Sequence, residues 1–353
     1  MSGVQPVNLG WAIVAFGLMI FAHELGHFLI ARRTGVTVLA FALGFGPPLV
    51  RIRRGETVYA VNVLPLGGYV RLAGEDAEGA SGSGSLRSKS VWQRMAVVLA
   101  GPVMNLVLAV LLFAGLAAAL GVPVGISTRI GQVLTVCSDD GRRVTCPAAA
   151  VGLRAGDRIA AIDGQPMADG EQVIETIHRR PHERLRLTVE RDGRRFEVEV
   201  TTIRDQRQGI GLIGFRPESV RQPMGPGRAL WWGVTTTGQY AAAIGGAVAA
   251  LVRRGTFFRE LSGPVDAVRF LGEAAQVGAE PFVYTAALLS IMVGLFNLLP
   301  VPALDGGRLL FLVVEAIRRR PVDPRREGYI HLVGFALLML LLVVLTVRDL
   351  GRL

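Results

Sequence analysis

The strongest constraint on this chain is an apolar run, Leu9 to Ala31, that contains His-Glu-Leu-Gly-His at positions 23–27 and closes on Arg32-Arg33. Its length matches the roughly 20 apolar residues that a helix needs to cross a bilayer. Three ionisable groups inside such a segment are costly and usually serve a function. On a helix, positions i and i+4 share a face, so His23 and His27 can reach one metal ion. Glu24 sits one position along and can take a proton from water held by that metal. Zinc suits the H-E-x-x-H spacing, because it lowers the pKa of its bound water to about 7. A signal peptide is the rival reading of this run. The residues before Leu9 carry no Lys or Arg, and no convincing cleavage site follows, so the segment is expected to persist as a helix.

Composition extends the membrane argument to the whole chain. Hydrophobic residues make up 51% of the 353 positions, and mean hydropathy is +0.43. The 19% of charged residues are clustered, leaving long stretches almost uncharged. The formal net charge of +10 comes mostly from Arg that flanks apolar runs. That placement points to a lipid bilayer as partner, and no motif points to nucleic acid.

Seven segments follow from this patterning. Residues 1–35 are the first transmembrane helix. Residues 36–94 mix apolar and β-branched residues with Gly and Pro; Val58 to Val63 reads as a short strand and Gly67-Gly68 as a turn. A membrane-associated β-hairpin is expected there, with its backbone paired inside the protein because hydrocarbon offers it no partners. A polar cytoplasmic loop at 73–90 follows it. The second span covers 95–121 and includes Gly101-Pro102 and Asn105. Residues 122–216 alternate strand-like runs with turns such as Asp192-Gly193, with a helix near 170–179, and read as a β-rich domain. Residues 217–281 form a linker. Within it Leu230 to Val252 is apolar, but Thr235 to Thr237 and Gln239 lower its hydropathy, so an amphipathic helix lying on the membrane is preferred to a span.

The third transmembrane segment covers 282–318. One straight helix over most of it would be about 53 Å long, well beyond a bilayer core of about 30 Å. Pro300 and Pro302 are therefore expected to break it. The fourth span covers 330–348. With four spans, Arg32-Arg33, the Arg51 to Arg54 group, Lys89 with Arg94, and Arg318 to Arg326 all fall on one side. The positive-inside rule makes that side cytoplasmic and puts the β-rich domain outside. Cys137 and Cys146 lie in that domain; sequence leaves a local disulfide and two reduced thiols equally open.

A catalytic zinc wants a third protein ligand and an open position. His178 and His182 lie in the polar domain, and His331 begins the last span as a distant candidate. Asp305 is better placed, being an acid in apolar surroundings at a Pro-broken helix. Its plainer role would be capping that helix.

Four stretches together resemble one family: HELGH at 23–27, GPVMN at 101–105, NLLPVPALDGGR at 297–308, and the β-rich insertion between them. They resemble the site-2 proteases, intramembrane zinc metalloproteases, in their RseP-like branch. The resemblance covers nearly the whole chain. It implies Zn2+ held by His23, His27 and Asp305, with Glu24 as general base. It implies that Asn297 and Asn105 hold the substrate strand near the metal. The stretches GFGP at 44–47 and PLGGYV at 65–70 resemble that family's hairpin, so Gly44, Gly46, Gly67 and Gly68 are implied in clamping an unwound substrate as an added strand. The run Gly152 to Ile159 followed by Ile162-Asp163-Gly164 resembles the bacterial PDZ pattern, which binds peptide C-termini or acts as a steric gate. RseP resembles a two-PDZ arrangement, and this chain has room for one. Leu261-Ser262-Gly263-Pro264 also resembles a segment of the family, without an assigned role.

The expected fold is therefore a polytopic α-helical membrane protein of four spans, with a membrane-associated β-hairpin and an inserted β-rich PDZ domain. The expected activity is hydrolysis of peptide bonds within transmembrane segments of other proteins, such as anti-sigma factors or remnant signal peptides. The expected place is the bacterial inner membrane, with the active site toward its cytoplasmic half. A metal-free PDZ adaptor and a metal transporter are the rival classes. The complete H-E-x-x-H with Asp305 speaks against the first. Outside this site the spans hold only Glu315 and His331 as acid or histidine, both near span ends, which speaks against the second.

Overall fold

The computed structural model describes residues 6–75, 82–206, 208–256 and 263–351. Leu261 and Ser262 of the family-like LSGP stretch, and 76–81 of the polar loop, lie outside them. The chain divides into two units: Met1–Ala118 with Gly225–Leu353, and Ala119–Met224.

The first unit is built on helices. Helix α1 (Pro6–Arg33) carries Arg32 and Arg33 in its last turn, where they complement the helix dipole. It stops at Thr34, whose Oγ1 donates to the carbonyls of Ile30 and Ala31, and at Gly35, whose φ of 71° a side chain would resist. Two long strands follow, β1 (Val38–Arg54) and β2 (Thr57–Leu72), joined by a tight turn at Gly55. Residues 40–43 of β1 pair with 68–71 of β2 and also with 58–61, while 50–54 pair with 57–61. β2 must therefore double back between Val61 and Gly68, and Gly67, with φ of 87°, takes the reversal. The short strand expected at Val58–Val63 is thus part of a longer one, because both of its sides find partners in β1. Phe28, Phe41 and Leu72 bury the sheet against α1.

Helix α2 (Val91–Leu120) has Pro102 in its interior. It lies on α1 with backbones almost touching: a Cβ on Gly26 would run into the Ala100 carbonyl. Small residues at such a crossing are what allow apolar helices to pack closely where water does not drive them together. Helices α3 (Pro226–Arg254) and α4 (Pro264–Val277) follow. The segment expected to be broken by proline is two helices, α5 (Ala279–Asn297) and α6 (Asp305–Arg318), separated by the loop of Pro300 and Pro302. Arg94 of α2 and Glu315 of α6 form a two-bonded ion pair that holds α6 beside α2, with Nη1 donating to Oε2 at 3.0 Å. Helix α7 (Pro324–Leu350) completes the unit. Among the described residues, four helices are long and apolar enough to cross a membrane: those in α1, α2, α5 and α7. α3 is not one of them, in keeping with its polar Thr and Gln positions.

The second unit is an antiparallel sheet with a helix over it. Its main strands are β3 (Val122–Val133), β4 (Arg158–Ile162), β5 (Arg184–Arg191), β6 (Arg194–Thr201) and β7 (Phe215–Gln222), in the order β7-β3-β4-β5-β6. Alternate residues of β5, Leu185, Leu187 and Val189, point into the core with Ile130, Ile159 and Ile177. Cys137 and Cys146 are joined by a disulfide, which resolves the alternative that sequence left open.

Asp157, 1% exposed, anchors the turn into β4. Its Oδ2 accepts from Arg154 N at 2.8 Å, and the Arg191 guanidinium grips both oxygens, at 2.6 and 2.8 Å. Burial pushes this carboxyl up, but the Arg191 and Arg154 bonds outweigh it and hold the group below its ordinary value. A lowered folded-state value means stabilisation that is full above about pH 4 and is lost as pH falls through the folded value. Asp157→Ala should cost this unit about 2–3 kcal/mol at neutral pH, since Arg191 loses its partner. Hydrogen exchange of the β4–β6 amides reads that loss as faster exchange confined to the unit.

Candidate metal centre

His23 and His27 stand one turn apart on the face of α1 that meets α2. Gly101 of α2 sits opposite them, where a Cβ would press on Nε2 of both rings. His27 Nδ1 donates to the Val97 carbonyl at 2.8 Å. That bond fixes the tautomer and leaves the Nε2 lone pair free, as in metal-ligating histidines generally. The two Nε2 atoms are 3.2 Å apart. Asp305 opens α6, and its Oδ2 lies 3.0 Å from His23 Nε2 and 3.4 Å from His27 Nε2. The glycines behind it make this reach attainable. Gly306 lies against the Leu298 and Leu299 carbonyls and Gly307 against that of Val301, with no space for a Cβ at either.

Three donor atoms thus converge from two helices that are far apart in sequence. Atoms held about 2.0–2.2 Å from a tetrahedral zinc lie about 3.3–3.5 Å from one another, close to the separations here. Asp305 Oδ2 is buried and makes no well-formed hydrogen bond within the protein. A carboxylate oxygen left in that state among two imidazole lone pairs is accounted for by a shared cation. The residues present therefore fit zinc.

The centre opens into a cavity of about 340 Å³, whose walls include Glu24, Gly68, Val70, Asn297 and Arg308. Gly68 brings the β2 backbone onto Glu24: a Cβ there would lie 3.3 Å from Glu24 Cγ and 3.0 Å from the Ala42 carbonyl. Val70, two residues on, lines the cavity beside Glu24. Asn297 Nδ2 donates to the Val293 carbonyl of its own helix at 3.0 Å.

Of the residues implied in holding substrate, Asn297 and Gly68 line this cavity and the others do not. Asn105 is fully buried between α2 and α5, one turn beyond Gly101, with neither amide atom partnered. Gly44 has φ of 77°, and its carbonyl accepts from Asn62 Nδ2 at 2.8 Å. Gly46 and Gly67 also have positive φ, 89° and 87°, so these three serve the bends of the strands. Two cavity features escaped the sequence reading. The Val97 carbonyl that holds His27 is a backbone group, which carries no residue signature. The ion pair between Arg308 and Glu75 joins positions far apart in sequence.

The model of peptidase family M50 matches residues 11–341. This chain belongs to peptidase family M50. Among its relatives, the zinc metalloprotease RasP of Geobacillus kaustophilus is 32% identical, over 96% of this chain and 97% of that one. The regulator of sigma-W protease RasP of Bacillus subtilis is 31% identical, over 97% of each. A structural likeness of smaller extent is to the PDZ domain of an SdrC-like protein from Listeria monocytogenes: 24% identity over 26% of this chain and 90% of that one, with a TM-score of 0.20. As a member of M50 the chain is a zinc metalloprotease. In this M50 protease Gly101 marks how tightly the centre is built. Gly101→Ala should weaken zinc binding about ten-fold or more, by pushing both imidazoles off their positions. Competition with a zinc chelator measures it.

Proposed function

We propose that this M50 protease cuts peptide bonds inside the membrane, within transmembrane segments of other proteins, using zinc held by His23, His27 and Asp305. The observation that carries the reading is the convergence of their three donor atoms at 3.0–3.4 Å beside Glu24, with both histidines and Glu24 on α1, a helix apolar enough to span a bilayer. The surface of α7 supports it: Leu332, Val333, Phe335, Leu337, Leu340 and Val343 are all exposed. Such a face needs hydrocarbon around it.

When bound, zinc supplies a Lewis-acid centre and brings a water in its open position to a pKa of about 7. The rest belongs to the chain. Val97 holds the His27 ring through Nδ1, so that its Nε2 stays aimed at the centre. Glu24, packed against the β2 backbone at Gly68, accepts the proton of the attacking water on its carboxylate and delivers it to the nitrogen of the leaving amine. A helical substrate hides its carbonyls in its own hydrogen bonds, so it has to unwind before attack. The stretch of β2 from Gly68 to Leu72 runs past Glu24 and pairs with β1 on one side, which suits it to accept an unwound segment as a further strand. Asn297 steadies that strand from the cavity wall.

The β-rich unit is read as a single PDZ domain on the extracytoplasmic side, taking peptide C-termini or limiting which substrates approach. Its disulfide suits an oxidising compartment, and the Arg clusters beside the spans suit a cytoplasmic face opposite it. The cell is bacterial, and the active site lies toward the cytoplasmic half of its membrane. The Bacillus subtilis relative is named a regulator of sigma-W protease; for this chain we favour a membrane-spanning anti-sigma factor as substrate, and a remnant signal peptide has the same chemistry. Reconstituted with a model transmembrane substrate, the protein should give fragments whose new ends map within the span. Fragments ending only in the soluble flanks would overturn the intramembrane reading.

A further inference from the structure

Ala303 has a backbone that its side chain disfavours. Its φ is 77°, in the left-handed region that glycine enters freely and L side chains rarely adopt. It belongs to the loop between α5 and α6, two residues before Asp305. The neighbouring loop amides are satisfied locally. Leu299 N donates to Phe296 O at 3.1 Å, Val301 N to Leu299 O at 2.7 Å, and Leu304 N to Val301 O at 3.1 Å. Pro300 and Pro302 have no amide hydrogen. The Ala303 N–H instead leaves the loop and donates to Nδ1 of His331, on α7, at 2.9 Å.

The contact is braced from both sides. Gly334, three residues further along α7, packs on Pro302 with no room for a Cβ. The His331 ring leans on Phe311 of α6, with centroids 5.5 Å apart. His331 itself is outside the group of three converging ligand atoms.

We propose that His331 is a positioning residue for the metal centre: its Nδ1 holds Ala303 in the left-handed turn that aims Asp305 at His23 and His27. The proposal rests on Asp305 being the third ligand. Its physical basis is leverage. A hydrogen bond to the Ala303 amide fixes the peptide plane on which the next turn of chain is built. Without it, Ala303 is free to relax toward negative φ, and the start of α6 moves with it. Zinc tolerates ligand displacements of only about 0.2 Å, so a small swing at Asp305 is enough to loosen the site. The last span thereby takes part in the centre without touching it.

The test exploits where an acceptor sits on the side chain. Asn places its oxygen near the position of histidine Nδ1, whereas Gln places its oxygen one bond further out, near that of Nε2. Zinc affinity of the purified full-length protein is read by competition with a chelator, alongside cleavage kinetics. His331→Asn should stay within about three-fold of the parent, and His331→Gln should lose about 10–100-fold in zinc affinity and in kcat, with KM unchanged. Ala303→Gly, which adopts the turn without strain, should restore most of the loss when combined with His331→Gln. Equal zinc affinities for the Asn and Gln variants, whether high or low, overturn the proposal. Where His331→Gln does not fold, the double variant decides: it should fold and bind zinc, and a double variant no better than His331→Gln overturns the proposal. Failure of the underlying reading shows elsewhere, as full zinc content in Asp305→Ala.

Discussion

Glu24→Gln should stop cleavage and leave zinc in place. Glutamine keeps the size and shape of the side chain and can still pack against Gly68 of β2. What it lacks is a group able to take a proton from water and pass it on. Loss of a positioned general base typically costs about 10²–10⁴-fold, so turnover of a reconstituted transmembrane substrate should fall by at least two orders of magnitude. Glu24 is not among the three converging donor atoms. Zinc content measured by elemental analysis should therefore match that of the parent. Two outcomes would sink the assignment. Cleavage within ten-fold of the parent would remove Glu24 as the base. Zinc lost along with activity would make it a support of the metal site instead.

The half of the centre on α1 was legible because its signal is local. Two histidines at i and i+4 on an apolar helix have a fixed spatial meaning, whatever the rest of the chain does. The break before Asp305 was legible for the same reason, since Pro300 and Pro302 cannot sit inside a helix without cost. Asp305 as the partner of the histidines was not local; its apolar setting at the Pro break made it the better candidate and resemblance implied it as a ligand, and its Oδ2 lies beside both rings. Long-range pairing marks where local reasoning ended. The period of β2 shows one strand, but its doubling back around residues 40–43 of β1 depends on which edges those residues offer. Asn105 shows the other limit. A polar residue in a span suggests a function, yet whether it faces a cavity or a helix interface depends on rotation about the helix axis, and here it faces the interface. His331 was considered as a ligand because of its residue type. Its partner is a backbone amide, Ala303 N, which leaves no trace in sequence.

Asp305→Ala should lose zinc, and this result separates a built metal centre from a chance cluster. With Asp305 removed, His23 and His27 remain as two neutral donors 3.2 Å apart, short of the three that a catalytic zinc uses. Perturbing an outer-shell partner already costs about 10–100-fold in affinity, so removing a direct ligand should exceed about 100-fold. Protein purified in the presence of a chelator should then hold little zinc and show no cleavage. The loss is not expected to come from unfolding. Asp305 opens α6 with no side-chain capping bond at the residue before it, and a carboxylate in a first helical turn contributes only about 0.3–1 kcal/mol through the dipole. Thermal unfolding of the metal-free proteins should thus be nearly the same with and without Asp305, while added zinc should raise the midpoint of the parent alone. That contrast is the decisive one. A chance cluster predicts no zinc-dependent shift in either protein. A site completed by some other residue predicts the shift in both.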